Sequence, residues 1–377
     1  MTLLDDNDKL WHQLSLLKQR NTESQNFSIG TPKNFAVSYG ILSDFMGFSF
    51  NNIGDPFIDL KRGFSTRKFE RQVLSFFADL YNLPSKKFWG YISSCGTEGS
   101  MYGLWLGRER YPNGILYYSQ ASHYSIPKIS RILRMQSVVV PALYNGELDY
   151  GAFELVVQAQ KDKPVILNMN IGTTMQGAID DINKVLDILH KNQIKQYHIH
   201  CDAALFGAML PFIANAPQID FRQPIATVSV SGHKFFGLPM PCGIVLTRQE
   251  HINVLENNLE YLSTLDTTIG GSRNGHTSLI LWYVINTKKI AELRRDVQLC
   301  LQNAHYLYEK LREIDYPCFL NPHSNVVSLK RPPLALSERW RLLTQADSAC
   351  VTVMPHVTKD RLNQFLEELK EALLAKD

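Results

Sequence analysis

The sequence predicts an α/β protein, with a seven-stranded and mostly parallel sheet in a larger domain followed by a smaller C-terminal α+β domain. Two patterns carry this. Between about residues 70 and 250, short apolar runs rich in β-branched or aromatic residues alternate with helical periodicity, which is how a sheet covered by helices on both faces reads. From about residue 286 the alternation stops and two strand-like runs lie between long helical stretches. The length of 377 residues supports this division, since a chain of that size buries roughly three quarters of its unfolded surface and commonly splits into unequal domains.

Taken in order, residues 1–60 read as an N-terminal arm, with Leu10, Leu14 and Leu17 on one amphipathic turn and irregular chain after it. The larger domain spans 61–259. It opens with a helix over Glu70–Tyr81, where Val73, Leu74, Phe77 and Leu80 share a face. Its predicted strands are Phe88–Ile92, Gly114–Ser119, Ser137–Pro141, Pro164–Asn170, Gln196–Cys201, Ala226–Val230 and Cys242–Thr247, and Asp181–His190 is a helix with Ile182, Val185, Leu186 and Leu189 inward. Residues 260–285 form a linker. Its first part, Glu260–Gly275, is rich in Thr, Ser and Gly, offers little to a core and reads as a mobile active-site loop. The small domain, 286–377, contains a long helix through Leu311, strands at Asn325–Leu329 and Ala349–Met354, and a last helix from Thr358.

Composition narrows the function. A formal net charge of +3, from 39 Lys+Arg and 36 Asp+Glu, is too small a surplus for binding nucleic acid by phosphate neutralisation. With 45% hydrophobic and 20% charged residues, the chain has the make-up of a packed globular protein. The six cysteines show no C-x-x-C pair and no close, even spacing, so reduced and mostly buried thiols are expected. Asp5, Asp6 and Asp8 precede any apolar run, unlike a secretory signal, and the longest uncharged stretch, Ala203–Ile219, is broken by Pro211, Asn215 and Pro217. A cytoplasmic protein with no membrane or nucleic-acid partner is the expectation.

Four local patterns carry chemistry. Lys234 follows a strand in Ser229-Val230-Ser231-Gly232-His233-Lys234 and precedes Phe235-Phe236, surroundings that would desolvate it and favour a neutral, nucleophilic amine. By itself such a lysine is more often a surface group. In His198-Ile199-His200-Cys201-Asp202, strand alternation sets His198, His200 and Asp202 on one face. An acid at a central strand end needs a positive partner, and a protonated pyridine nitrogen is one. The same face could hold a metal, so a metal-dependent hydrolase on His198, His200 and Asp202 is the competing reading; metallohydrolases with this spacing usually carry a further histidine where this chain has Ala203. Cys95-Gly96-Thr97-Glu98-Gly99-Ser100 joins a strand to a helix and would turn free N–H groups and the Thr97 hydroxyl toward an anion such as phosphate, although Gly-Thr turns also serve simply as caps. His123, in Ser122-His123-Tyr124-Ser125 after the next strand, could lay its ring on a planar ligand.

Phosphate cradle, stacking histidine, pyridine-nitrogen carboxylate and Schiff-base lysine follow one another in the order of a single pyridoxal 5'-phosphate site. Here the sequence resembles the group II pyridoxal-phosphate decarboxylases, and within them the compact bacterial histidine decarboxylases and plant serine decarboxylases. The likeness runs through Phe50-Asn51-Asn52-Ile53-Gly54-Asp55-Pro56, Gly96-Thr97-Glu98-Gly99, Asn170-Ile171-Gly172-Thr173-Thr174, His200-Cys201-Asp202-Ala203-Ala204, Ser231-Gly232-His233-Lys234 and Gly271-Ser272-Arg273-Asn274-Gly275-His276. It implies a fold-type I, aspartate-aminotransferase-like architecture, a lyase that decarboxylates an L-amino acid, and a homodimer. It implies that Lys234 forms the Schiff base, Asp202 holds the pyridine nitrogen and His123 stacks on the ring with Ala204 behind it. Gly96, Thr97, Ser231 and His233 would hold the phosphate, Thr174 would meet the ring hydroxyl or the substrate carboxylate, Ser272 a partner subunit's phosphate, and Tyr261 would protonate the substrate carbon. Ser100 departs from the Asn of many relatives. The resemblance favours L-histidine as substrate, to histamine and CO2, with L-serine to ethanolamine close behind; Asn51, Asn52, Asp55, Ser263 and His276 are the candidate side-chain contacts. A relative that keeps the cofactor without catalysis is a further alternative.

Overall fold

The computed structural model describes residues 7–59, 64–84, 87–255, 258–259 and 264–374. Helix α1 (Asn7–Asn26) buries none of its residues, and an irregular strap then leads to α2 (Arg67–Leu80), which buries Val73, Leu74 and Phe77 at the spacing read from the sequence. Alternating strands and helices follow: β1 (Phe88–Ser93), α3 (Gly96–Arg110), β2 (Ile115–Ser119), α4 (Ser125–Ile132), β3 (Ser137–Val140), α5 (Tyr150–Gln158), β4 (Val165–Asn170), α6 (Ile182–Lys191), β5 (Tyr197–Asp202), β6 (Thr227–Ser231) and β7 (Gly243–Arg248). These seven strands form one sheet in the order β1-β7-β6-β5-β4-β2-β3. Within it β7 is antiparallel to both neighbours and the other pairings are parallel. The central strands β4 and β6 are buried along their whole length, as two covered faces require, whereas β3 at the edge is four residues long and mostly exposed. Helix α6 shows the local logic: the Asp181 carboxylate accepts from Asn183 and Lys184 N–H to cap it, and Ile182, Val185, Ile188 and Leu189 turn inward.

A short ribbon, β8 (Asn258–Leu259) with β9 (Thr264–Leu265), precedes α7 (Gly275–Thr287) and α8 (Ile290–Glu313). The rest of the chain supplies β10 (Cys318–Leu320), β11 (Val326–Lys330), α9 (Leu334–Arg339), β12 (Leu343–Gln345), β13 (Ser348–Thr352) and α10 (Lys359–Leu374), with a four-stranded antiparallel sheet in the order β10-β11-β13-β12. Apolar packing runs continuously between this sheet and the larger one, through residues such as Leu307, Leu311, Trp340 and Phe365. Among the described residues no helix is long and apolar enough to cross a membrane.

Two expectations change. The helix read from residue 286 through Leu311 is α8, which starts at Ile290 after a break at Lys288–Lys289. The stretch before it, read as linker, holds a separate helix, α7, that begins at Gly275, where the Asn274 side chain accepts from His276 N–H. The stretch read as a core-poor linker is anchored from Thr267 onward. Thr267 and Arg273 are buried. The Thr267 hydroxyl donates to the Asp55 carboxylate at 3.0 Å, and Arg273 pairs with the buried Glu70 and donates to Gly54 O. Polar residues looked like loop because their partners lie some 200 positions away in the chain.

Candidate active site

A cavity of about 210 Å³ opens at the carboxyl ends of the parallel strands, where an α/β sheet presents its loops. Lys234, Asp202, His123, Gly96, Thr97, Thr174, Ala204, Ser231 and His233 all line it. Cys95, Ser100, Tyr124, Ser125, Asn170, Gly172 and Thr173 complete the wall.

Each side chain arrives from a strand end. Asp202 closes β5 and stands in register with Asn170 of β4 and Ser229 of β6. Lys234 follows β6, and its backbone carbonyl accepts from Asn34 N–H of the N-terminal strap at 3.1 Å. Burial lowers the lysine pKa and Asp202 acts against that shift, so the amine loses its proton more readily than an exposed lysine. The His123 ring packs against Tyr124, and its Nδ1 lies 2.7 Å from Ser125 Oγ. Its pKa is lowered first by burial and also by Lys234 and Lys128, with Asp202 opposing; a neutral flat ring results. His233 Nδ1 lies 3.0 Å from Cys242 O and 3.2 Å from Cys242 N, so in either tautomer it bonds the Cys242 backbone, by donating to the carbonyl or by accepting from the N–H.

Helix α3 points its N-terminus into the cavity, and no side chain caps it. The first N–H groups of a helix have no intrahelical acceptor, so this end attracts an anion. A methyl group on Gly96 would come within 2.6 Å of Ser231 Oγ, so the glycine lets α3 start close against the end of β6. Uncapped N–H groups and the hydroxyls of Thr97 and Ser231 suit a phosphate. Asp202 and Lys234 suit a pyridine ring bearing an aldehyde. Together the residues fit pyridoxal 5'-phosphate.

The competing metal reading loses its ligands. His198 Nε2 lies 2.9 Å from Gly103 O, and His200 Nδ1 lies 2.8 Å from Thr227 Oγ1. Both rings are buried under α3, and burial holds both well below the usual histidine pKa. They follow the Asp202 periodicity but fill the space left by Gly103 and Gly107 instead of joining the cavity.

A family model described as the pyridoxal-dependent decarboxylase conserved domain matches residues 39–327. The chain belongs to this family. It is 46% identical over 360 residues to serine decarboxylase 1 of Oryza sativa subsp. japonica, covering 95% of this chain and 75% of that one. It is 39% identical over 341 residues to the histidine decarboxylase of Vibrio campbellii, covering 89% and 88%. Among solved structures, L-methionine decarboxylase from Streptomyces sp. 590 superposes with a TM-score of 0.87 at 24% identity, covering 97% of this chain and 95% of that one. That likeness establishes the fold. The protein is therefore a pyridoxal-phosphate-dependent amino-acid decarboxylase of fold type I.

Not every sequence-predicted residue joins the decarboxylase cavity. Tyr261 and Ser263 lie outside the described residues. Ser272 is not in the cavity wall, and its hydroxyl accepts from Asn51 Nδ2 at 3.0 Å. The proposed side-chain contacts are engaged elsewhere. Asn52 is buried and donates to Glu70 while accepting from Thr66 N–H, Asp55 accepts from Trp89 Nε1 at 2.8 Å, and His276 Nε2 lies 3.2 Å from Phe45 O. Asn170, Thr173 and Ser125 received no role from the sequence; the first two sit in the quoted Asn170–Thr174 run, and pairing β4 with β5 sets Asn170 beside Asp202.

Proposed function

We propose that this decarboxylase acts on L-serine and releases ethanolamine and CO2. The observation that carries the reading is the cavity wall. Among its described residues Asp202 is the sole carboxylate, and beside the Lys234 amine and the Cys95 thiol the polar lining is hydroxyl, amide and imidazole, which suits a small hydroxyl side chain and offers no second acid to an imidazole. The relatives named serine decarboxylase are 43–46% identical to the chain, against 36–41% for those named histidine decarboxylase. L-Histidine is the second reading, supported by relatives of that name that align over 89–93% of this chain.

Bound pyridoxal phosphate supplies an aldehyde that condenses with amines and a ring that accepts the electron pair released with CO2. In the proposed division of labour, Lys234 offers the amine that holds the cofactor and yields to the substrate amine. Asp202, charged, keeps a proton on the pyridine nitrogen. His123 covers one ring face and Ala204 leaves room on the other. Gly96, Thr97, Ser231 and His233 grip the phosphate, and Thr174 meets the substrate carboxylate. Tyr261 delivers the proton to the α carbon. A twofold homodimer completes the site, with Ser272 reaching the neighbour's phosphate. In support, Ile41, Phe45, Phe48 and Phe64 are exposed, the first two on the rim of an apolar groove with Phe50, Phe69 and Trp282.

The decisive experiment supplies both amino acids at equal concentration to the purified holoenzyme and analyses products. Ethanolamine should dominate, and histamine as the main product would replace the substrate reading. Lys234→Ala should lose the borohydride-sensitive visible band and all turnover while keeping its circular dichroism. Light scattering should give a dimer; a fully active monomer would overturn the pairing.

A further inference from the structure

The turn between β4 and α6, residues 171–180, carries Gly172, Thr173 and Thr174 to the cavity wall. Its base is stitched to the large sheet. Ile171 N–H donates to Asp202 O at 2.9 Å, and the buried Asp180 carboxylate accepts from Asn170 N–H at 2.7 Å and Leu148 N–H at 2.8 Å. Above the base, Gly172 and Thr173 N–H both donate to Ala178 O, and Gly177 N–H donates to Thr173 O at 2.8 Å.

The tip is held from the other sheet. Asn321, buried just after β10, donates from one Nδ2 to two carbonyls, Gln176 O at 2.9 Å and Asn145 O at 2.8 Å. Those carbonyls belong to two separate loops of the large sheet, so a single amide uses both of its N–H groups to tie three segments together. Cys350 of β13 adds a weak contact from Sγ to Thr174 O at 3.7 Å. The fit leaves no slack. Gly177 has φ +60°, and a side chain there would collide with Ser324 Oγ in the turn from β10 to β11.

We infer that Asn321 is a positioning residue for the decarboxylation, fixing through Gln176 O the turn that presents Thr174 to the substrate. The inference rests on the reading that Thr174 meets the substrate carboxylate, and it assigns the small C-terminal sheet a task in the reaction. Asn321 stands outside the cavity wall and acts only through the turn. Without its amide, the tip keeps the bond from Gln176 Nε2 to Tyr144 O at 2.7 Å but loses its hydrogen bond to the chain after β10, and small misplacements of a contact group carry large kinetic penalties.

The test compares Asn321→Ala, Thr174→Ala and the double variant as holoenzymes, reading the visible cofactor band, KM and kcat. Asn321→Ala should keep the band and raise KM by about tenfold with kcat changed less than threefold. In the Thr174→Ala background it should add almost nothing, because both changes remove the same contact. Should Asn321→Ala fail to fold, Asn321→Ser, which keeps one donor, is read by the same criteria. Unchanged kinetics in Thr174→Ala would overturn the Thr174 reading. A normal KM for the folded Asn321 variant, with Thr174→Ala impaired, would overturn the positioning role alone. A parallel loss of band and kcat, or additive effects in the double variant, would reduce Asn321 to general structural support.

Discussion

Asp202 is the residue at which charge and shape can be separated. Asp202→Asn keeps the side-chain volume and a hydrogen-bonding group at the end of β5 but removes the anion that faces Lys234 and His123. If the carboxylate works by holding a proton on the pyridine nitrogen, the variant should lose roughly 10²–10³-fold in kcat with a much smaller change in cofactor affinity. Steady-state kinetics beside a cofactor titration would check this, and equal kcat values would leave Asp202 a structural group. At this scale the sequence was most legible where a residue type is rare for its setting, as with a lysine or an acid at the end of an apolar strand. It was least legible for polar residues whose partners are far away in the chain. Asn52 and Asp55 sit in a Gly- and Pro-containing run that looks solvent-facing, yet they are buried cross-links to Glu70 and Trp89. Sequence spacing carries no record of such distant partners.

Helix α3 shows what element-level reading captured and what it passed over. Its start after β1 follows from the Gly96-Thr97 turn, but its hydrophobic side is not an ordinary apolar stripe: Gly99, Gly103 and Gly107 face β6 and β5. A methyl group at Gly103 would fall inside contact distance of the His200 ring, and one at Gly107 would come within 2.9 Å of His198 Cδ2. The helix lies that close to the sheet because these positions have no side chain, and its N-terminus reaches the cavity as a result. Gly103→Ala should therefore destabilise the fold by about 1–3 kcal/mol or more through overpacking, although alanine is the better helix former. Gly271→Ala, where a methyl group meets nothing within 4 Å, should stay within about 0.5 kcal/mol of the parent. Urea midpoints of the two variants would decide, and equal midpoints would refute the close-approach argument. The strands of the large sheet were readable because short runs rich in β-branched, apolar or aromatic residues alternate with helical periodicity. The break between α7 and α8 was not, since α7 is apolar around most of its circumference and blends into its neighbours without a polar face to mark its ends.

Across the whole molecule, buried imidazoles set the response to acid. His200, His251 and His356 are each pushed down to about 4, and His198 is held well below the usual histidine range, with burial the first cause in every case. Unfolded histidines titrate near 6.5, so between pH 6.5 and 4 the unfolded chain binds protons at these four sites that the folded chain refuses. The sign follows: the stabilisation is complete above pH 6.5 and is lost as pH falls toward 4. Asp180 works in the opposite direction, because burial raises its carboxyl to about 7 and the folded chain is then the one that holds the proton between pH 3.8 and 7. His123 and His233 are lowered by burial as well, so six imidazoles against one carboxyl leave a net fall in stability on acidification, each group contributing at most about 1.4 kcal/mol per pH unit in its window. Carboxylates lowered by arginine partners, such as Asp220 and Glu368, release their stabilisation only below about pH 4.5 and do not disturb this range. The urea midpoint of the apoenzyme should therefore fall steadily from pH 7.5 to pH 5. His200→Gln should flatten that slope by one group's share while lowering stability at pH 7.5, because it disturbs the packing under α3. A midpoint that held constant or rose toward pH 5 would mean that these imidazoles are protonated in the folded protein, contrary to the burial of His198 and His200 between the sheet and α3.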